Sequence, residues 1–166
     1  MNDEYLILVD ENNQEIDTKP RSQVDYSSDI IRSAVLWVTN SKDEVLLAQR
    51  SLLKDKDPGL WGPAVAGTVE KGETYDSNIA KEAYEEIGLH DVEFTKSTNH
   101  FFQGSKRQFI QWYTLNIDKD ISEFTKQDSE VEQIAWVPIQ QFLDDYRANP
   151  QKYVPAFKEA LKFLIK

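Results

Sequence analysis

Three glutamates, Glu82, Glu85 and Glu86, stand at i, i+3 and i+4 within residues 74–87. On a helix that spacing gathers their carboxylates on one face, where like charges weaken the helix. Clustered carboxylate oxygens suit a hard divalent ion such as Mg²⁺ or Mn²⁺, which would relieve the repulsion. Glu82 and Glu86, nearly one turn apart, are the first choice of ligands, with Glu85 the third. Lys81, four residues before Glu85, offers that carboxylate partial relief. Three glutamates taken alone read more simply as a solvated acidic face, so the surrounding residues decide the matter.

The helix that must carry them has legible ends. Thr74 is a good N-cap because its hydroxyl can accept from an orphan backbone N–H. Asp76 sits in the first turn, where the helix dipole favours negative charge. Gly88 can adopt the left-handed conformation that closes a helix. Ile79, Ala83 and Ile87 form an apolar stripe, with Ala80 beside it. Ahead of the helix, Gly67 and Gly72 bracket a loop, and Glu73 follows.

This stretch, GTVEKGETYDSNIAKEAYEEIGL over residues 67–89, resembles the Nudix box, G-x5-E-x7-R-E-U-x-E-E-x-G-U with U apolar. Gly67, Glu73, Glu82, Ala83, Glu85, Glu86, Gly88 and Leu89 fall on its fixed positions, and Lys81 replaces its arginine. The match is long and correctly gapped, which separates it from a short chance motif. The resemblance implies an α+β fold of the α/β/α sandwich type, with a mixed sheet and a loop–helix–loop element that binds Mg²⁺ or Mn²⁺. It implies hydrolysis of a diphosphate linkage, in a nucleoside diphosphate derivative or related organic diphosphate, by metal-activated water. On that basis Glu82 or Glu85 serves as base, Glu73 and Lys81 orient the carboxylates, and Gly67 and Gly88 are structural. A lysine is a point charge and cannot reproduce the bidentate fork of arginine.

Further candidates lie outside the box. Glu130 is an extra ligand or base, or one more exposed glutamate. Arg50, Lys54 and Lys56 suit phosphate, or a solvated loop. Phe101, Phe102, Trp112 and Tyr113 lie on strands where an aromatic could stack a base, although strand aromatics are more often core. Among these, Arg50, Phe102 and Trp112 are the substrate-binding candidates.

The N-terminal hairpin and the Pro-Gly-Leu-Trp run at 58–61 resemble the isopentenyl-diphosphate isomerase group of the same superfamily. That group implies a catalytic Cys just before the box glycine and a His just after it. Here Ala66 and Thr68 occupy those places, and the two histidines, His90 and His100, lie beyond the box. Isomerisation is therefore disfavoured, and an isomerase-like Nudix hydrolase is the reading. A non-catalytic nucleotide or metabolite sensor is the alternative, but sensors of this kind lose the box glutamates.

Composition limits the partners. A net charge of −10 argues against a nucleic-acid polymer or an anionic membrane as partner. The partner expected is a small-molecule diphosphate, and a homodimer is compatible with the resemblance. The absence of cysteine excludes thiol chemistry and disulfides. No signal-like or membrane-spanning apolar run is visible, so a cytoplasmic protein is expected.

The 166 residues read as one Nudix domain, with an N-terminal hairpin and loop (1–29), a core (30–146) and a C-terminal helix (147–166). Strands are expected at 5–9, 14–18, 30–39, 44–50, 64–66, 91–102, 107–117 and 134–137. Helices are expected at 74–87, 139–146 and 154–165, and residues 58–63 read as turn chemistry.

Overall fold

The computed structural model describes residues 3–165. Among them, nine strands and three α-helices form a mixed sheet covered on both faces. In chain order they are β1 (Tyr5–Val9), β2 (Glu15–Pro20), β3 (Ile30–Thr39), β4 (Glu44–Arg50), β5 (Trp61–Pro63), β6 (Val65–Thr68), α1 (Tyr75–Ile87), β7 (Thr95–Gln103), β8 (Arg107–Asn116), β9 (Val131–Pro138), α2 (Ile139–Ala148) and α3 (Phe157–Leu164).

Strand β3 is the spine. It runs parallel to β8 along its whole length, from Ile30↔Arg107 to Thr39↔Asn116. Its other edge takes β1 at Leu8↔Ile31, then β6 from Ser33↔Thr68 to Leu36↔Val65. β3 and β4 meet only at Thr39↔Val45, beside their turn, and then part. β4 instead pairs with β5 and β9. The divergence of β3 and β4 opens a wedge, which becomes the candidate site.

The pleat distributes side chains by parity. Ala34, Leu36 and Val38 face α1, whereas Val35 and Trp37 face α2 and α3. Ile79, Ala83 and Ile87 of α1 are fully buried in the first of these cores. Burying an isoleucine stabilises by roughly 1.5–3 kcal/mol, against a few tenths of a kcal/mol for each like-charge pair on a helix surface. Packing therefore holds α1 despite its glutamates. Thr74 caps it by accepting from the Ser77 amide at 3.1 Å, and Ser77 returns the bond as a capping box. Gly88 closes it at φ 68°. Ala80, expected beside the apolar stripe, is exposed, and Asn78 is buried at the seam instead. At 100° per residue Ala80 has already turned past the core-facing arc.

Other expectations need correction. Trp61–Pro63, read as a turn, forms edge strand β5, where a proline costs no central ladder bond. The short strand expected at 64–66 is shifted to Val65–Thr68, because its register is set by β3 rather than by its own composition. β7 begins at Thr95, four residues later than expected, after a turn with Asp91 at φ 56°. β9 is longer than read, starting at Val131, because β4 pairs with it as far as Arg50. α3 begins only at Phe157: the Val154 amide still donates to the Trp61 carbonyl at 2.9 Å, and Pro155 cannot extend a helix backwards.

Candidate active site

The wedge between β3 and β4 holds a cavity of about 650 Å³. Glu82, Glu85 and Glu86 line one wall, with Glu70 and Lys81 beside them. Arg50, Lys54, Phe102, Trp112 and Glu130 line it as well. The candidates from the box, the end of β4, the 51–59 loop, β7, β8 and the loop before β9 are thus brought to one place.

The three glutamates differ in depth. Glu86 is buried, Glu82 is largely covered, and Glu85 is exposed at the rim. Glu86 reaches inward to β6, where the Ala66 amide donates to its Oε2 at 3.3 Å. Burial, reinforced by the charge of Glu82, pushes the Glu86 pKa up to about 8. Burial likewise raises Glu82 to about 7 against the attraction of Lys81. The glutamates therefore run from interior to rim rather than sharing one solvated face.

Lys81 does not pair with Glu85. Its ammonium lies 2.7 Å from Glu73 Oε1 and 3.0 Å from Glu70 Oε1, and 3.7 Å from Glu82. Glu70 and Glu73 belong to the loop, so the lysine ties the loop to the helix instead of relieving its own surface. Glu73 also accepts from the Glu70 amide at 2.9 Å and from Asn78 Nδ2 at 2.8 Å. Burial opposes its ionisation, but the bonds from Lys81, Glu70 and Asn78 outweigh that and hold its pKa below the usual carboxylate value. Glu70 escaped the sequence reading. Its only signal was a place on the loop between Gly67 and Gly72.

Gly67 explains the close approach of loop and helix. A Cβ there would fall 2.3 Å from Glu82 Cγ and 2.7 Å from Asn78 Oδ1, so any side chain would displace the carboxylate. Glu130 arrives because the segment before β9 docks on the end of α1, with the Gln127 amide donating to the Glu86 carbonyl at 2.9 Å. Its carboxylate pairs with Lys54 at 2.5 Å. Trp112 is fully buried as well as lining the cavity, and its indole N–H has no partner among the described residues. Phe102 lines the same space, whereas the Tyr113 hydroxyl is turned towards α1 and bonded to Asp76.

Among the described residues no three His, Asp or Glu side chains close around one point. The donor set nevertheless fits a hard cation. Glu86 has one long amide bond and Glu82 has only the distant Lys81, so a buried and a largely covered carboxylate lack the counter-charge that their desolvation requires. Oxygen ligands are what Mg²⁺ or Mn²⁺ takes.

No helix of the described residues is long and apolar enough to cross a membrane. The chain is 25% identical over 162 residues to an uncharacterized Nudix hydrolase of Pseudomonas aeruginosa, covering 98% of this chain and 94% of that one. It is also 25% identical over 168 residues to an isopentenyl-diphosphate Delta-isomerase of Serratia proteamaculans, covering 98% and 92%. The crystal structure of DR0079 from Deinococcus radiodurans shares the fold at a TM-score of 0.83 and 21% identity, over 96% of this chain and 98% of that one. The NUDIX domain family model matches residues 30–157, from the spine strand through the loop–helix element to the start of α3, and the chain belongs to that family.

Proposed function

We propose that the chain is a Mg²⁺- or Mn²⁺-dependent hydrolase of a diphosphate linkage in a small organic molecule such as a nucleoside diphosphate derivative. The observation that carries this is the pair of under-compensated carboxylates, buried Glu86 and largely covered Glu82, in a cavity also lined by Arg50, Lys54, Lys56 and Lys106. When bound, a divalent ion would neutralise phosphate oxygens and lower the pKa of its water. Glu86 and Glu82 would hold it from α1, with Glu85 completing the set from the rim. Glu82 or Glu85 takes the proton of the attacking water. Lys81 and Glu73 keep the loop and Glu82 in register by the bonds described above. Glu130 is a further ligand or base that would have to release Lys54 to act, and Arg50, which lines the same cavity, would contact the phosphates with the part of its guanidinium not bonded to the Lys56 carbonyl.

Hydrolysis is favoured over isomerisation by Ala66 and Thr68, which line the cavity but carry neither a thiol nor an imidazole. Moving a proton on carbon needs an acid and a base at the reacting atoms, and these two positions supply neither. The test is a panel of nucleoside diphosphate sugars, dinucleotides, nucleoside triphosphates and isoprenoid diphosphates, with Mg²⁺ or Mn²⁺ and with excess EDTA. Metal-dependent release of a phosphorylated product from at least one class is expected. Binding of a panel member without turnover would instead establish a sensor, and turnover undiminished by EDTA would remove the metal from the reaction.

A further inference from the structure

Four separate segments bring cations to the cavity: the turn after β2, the end of β4, the 51–59 loop and the β7–β8 turn. Arg21, Arg50, Lys54, Lys56 and Lys106 come from them and line one space. Three of these cations are committed. Arg21 pairs with Glu4 at 2.6 Å, Lys54 pairs with Glu130 at 2.5 Å, and Arg50 donates to the Lys56 carbonyl at 2.9 and 3.1 Å.

Lys56 and Lys106 are different. Among the described residues neither makes an ion pair, yet both ammonium groups lie over the ring of Tyr26, 3.7 Å and 5.1 Å from its centroid. The ring packs against the buried cluster of Leu6, Leu8, Val24 and Ile31, and its backbone is tied to β8: the Arg107 amide donates to the Tyr26 carbonyl at 3.3 Å, and the Arg107 guanidinium to the Ser28 carbonyl at 2.7 Å. A cation over an aromatic face gains about 0.5–2 kcal/mol, but two cations on one ring also repel each other. Burial, then the charges of Lys56, Arg21, Arg50 and Lys54, pull the Lys106 pKa down to about 8. Glu4 and Glu130 offset Arg21 and Lys54, but among the described residues no carboxylate pairs with Lys56 or Lys106, whereas a bound anion would.

We infer that Lys56 and Lys106, seated on Tyr26, form a subsite for a terminal phosphate group, so that the substrate is an organic polyphosphate ending in phosphate rather than a diphosphate ending in an uncharged sugar. A terminal phosphate carries close to two negative charges at neutral pH, which matches two ammonium groups. An internal phosphate of a diphosphate ester carries one. The glutamate wall takes the linkage to be cleaved and the wall bearing Lys56 and Lys106 takes the end of the chain. This assignment of walls rests on the hydrolase reading, whereas the subsite itself does not.

Two measurements on the full chain separate them. The first is thermal melting without metal, titrated with sodium tripolyphosphate at constant ionic strength, for the wild type, Lys56→Gln and Lys106→Gln. The wild type should show a saturable rise in Tm, with apparent affinity at least tenfold weaker in each variant. Equal shifts in all three proteins, or none in the wild type, overturn the subsite whether or not the protein hydrolyses anything. Lys56 lies on a loop, so its variant keeps the test valid if Lys106→Gln folds poorly. The second compares a nucleoside triphosphate with a nucleoside diphosphate sugar of the same base, as kcat/KM or, where neither is hydrolysed, as Kd. The wild type should prefer the triphosphate, and the preference should fall at least tenfold in the variants. An unchanged ratio, or a wild-type preference for the sugar, overturns the substrate class.

Discussion

Glu86→Gln removes one charge from the interior and keeps the shape of the side chain. In the wild type the folded pKa stands near 8 against an ordinary 4.5. The raised value means that the folded chain binds the proton more tightly than the unfolded one. Its stability is therefore greatest below about pH 4.5, is lost as pH rises towards 8, and is flat above that as far as this group is concerned. At about pH 7.5 the burden is about 4 kcal/mol, taken at ~1.36 kcal/mol per tenfold in proton affinity. Rotation of the carboxylate towards cavity water recovers part of it. The amide introduced by the substitution must also find its own hydrogen-bond partners, so a net gain on the order of 2 kcal/mol is expected. At about 2–4 °C per kcal/mol for a chain of this length, the metal-free variant should melt about 4–8 °C higher at that pH, and the difference should shrink below about pH 5. With Mg²⁺ or Mn²⁺ present, the wild type should gain Tm and the variant should not. Metal-dependent turnover should fall with it. The assay is a pH series of melts, with and without metal, beside hydrolysis of an active substrate. Equal metal-induced shifts in both proteins, or a metal-free variant less stable at about pH 7.5, would refute the placing of a strained, metal-seeking carboxylate at this position.

Three other outcomes follow from the geometry. Gly67→Ala puts a methyl 2.3 Å from Glu82 Cγ; it should cost about 1–3 kcal/mol as overpacking and abolish metal-dependent turnover, and wild-type kinetics would show the approach to be slack. Lys81→Met leaves Glu70 and Glu73 without their cation and should lower kcat at least about tenfold while raising the metal needed for half-activity. Lys81→Arg should restore both, and a Met variant indistinguishable from wild type would reduce Lys81 to a surface charge. Incubation with isopentenyl diphosphate and Mg²⁺ should give no dimethylallyl diphosphate by NMR, since Ala66 and Thr68 cannot move the proton; its appearance would place other residues in that role.

The sequence alone carried the loop–helix element, because its determinants are local. Thr74 caps α1 and Gly88 closes it through contacts within a few residues, and Ile79, Ala83 and Ile87 share a face by helical period. Strand β3 was legible end to end because both of its faces are buried and apolar residues dominate its run. Spacing could gather Glu82, Glu85 and Glu86 but could not say that Glu86 points inward and Glu85 outward, because depth depends on where β6 lies. Nor could it pair Lys81 with Glu70 and Glu73 rather than Glu85, a choice made by the path of the loop from Gly67. The parting of β3 from β4, the pairing of β8 with β3 and the docking of the segment before β9 on α1 are contacts over long separations, and together they set Arg50, Lys106 and Glu130 around one cavity with the helix. Local chemistry is written in neighbouring residues, whereas burial, and with it every shifted pKa in the site, is a property of what the folded chain lays against them.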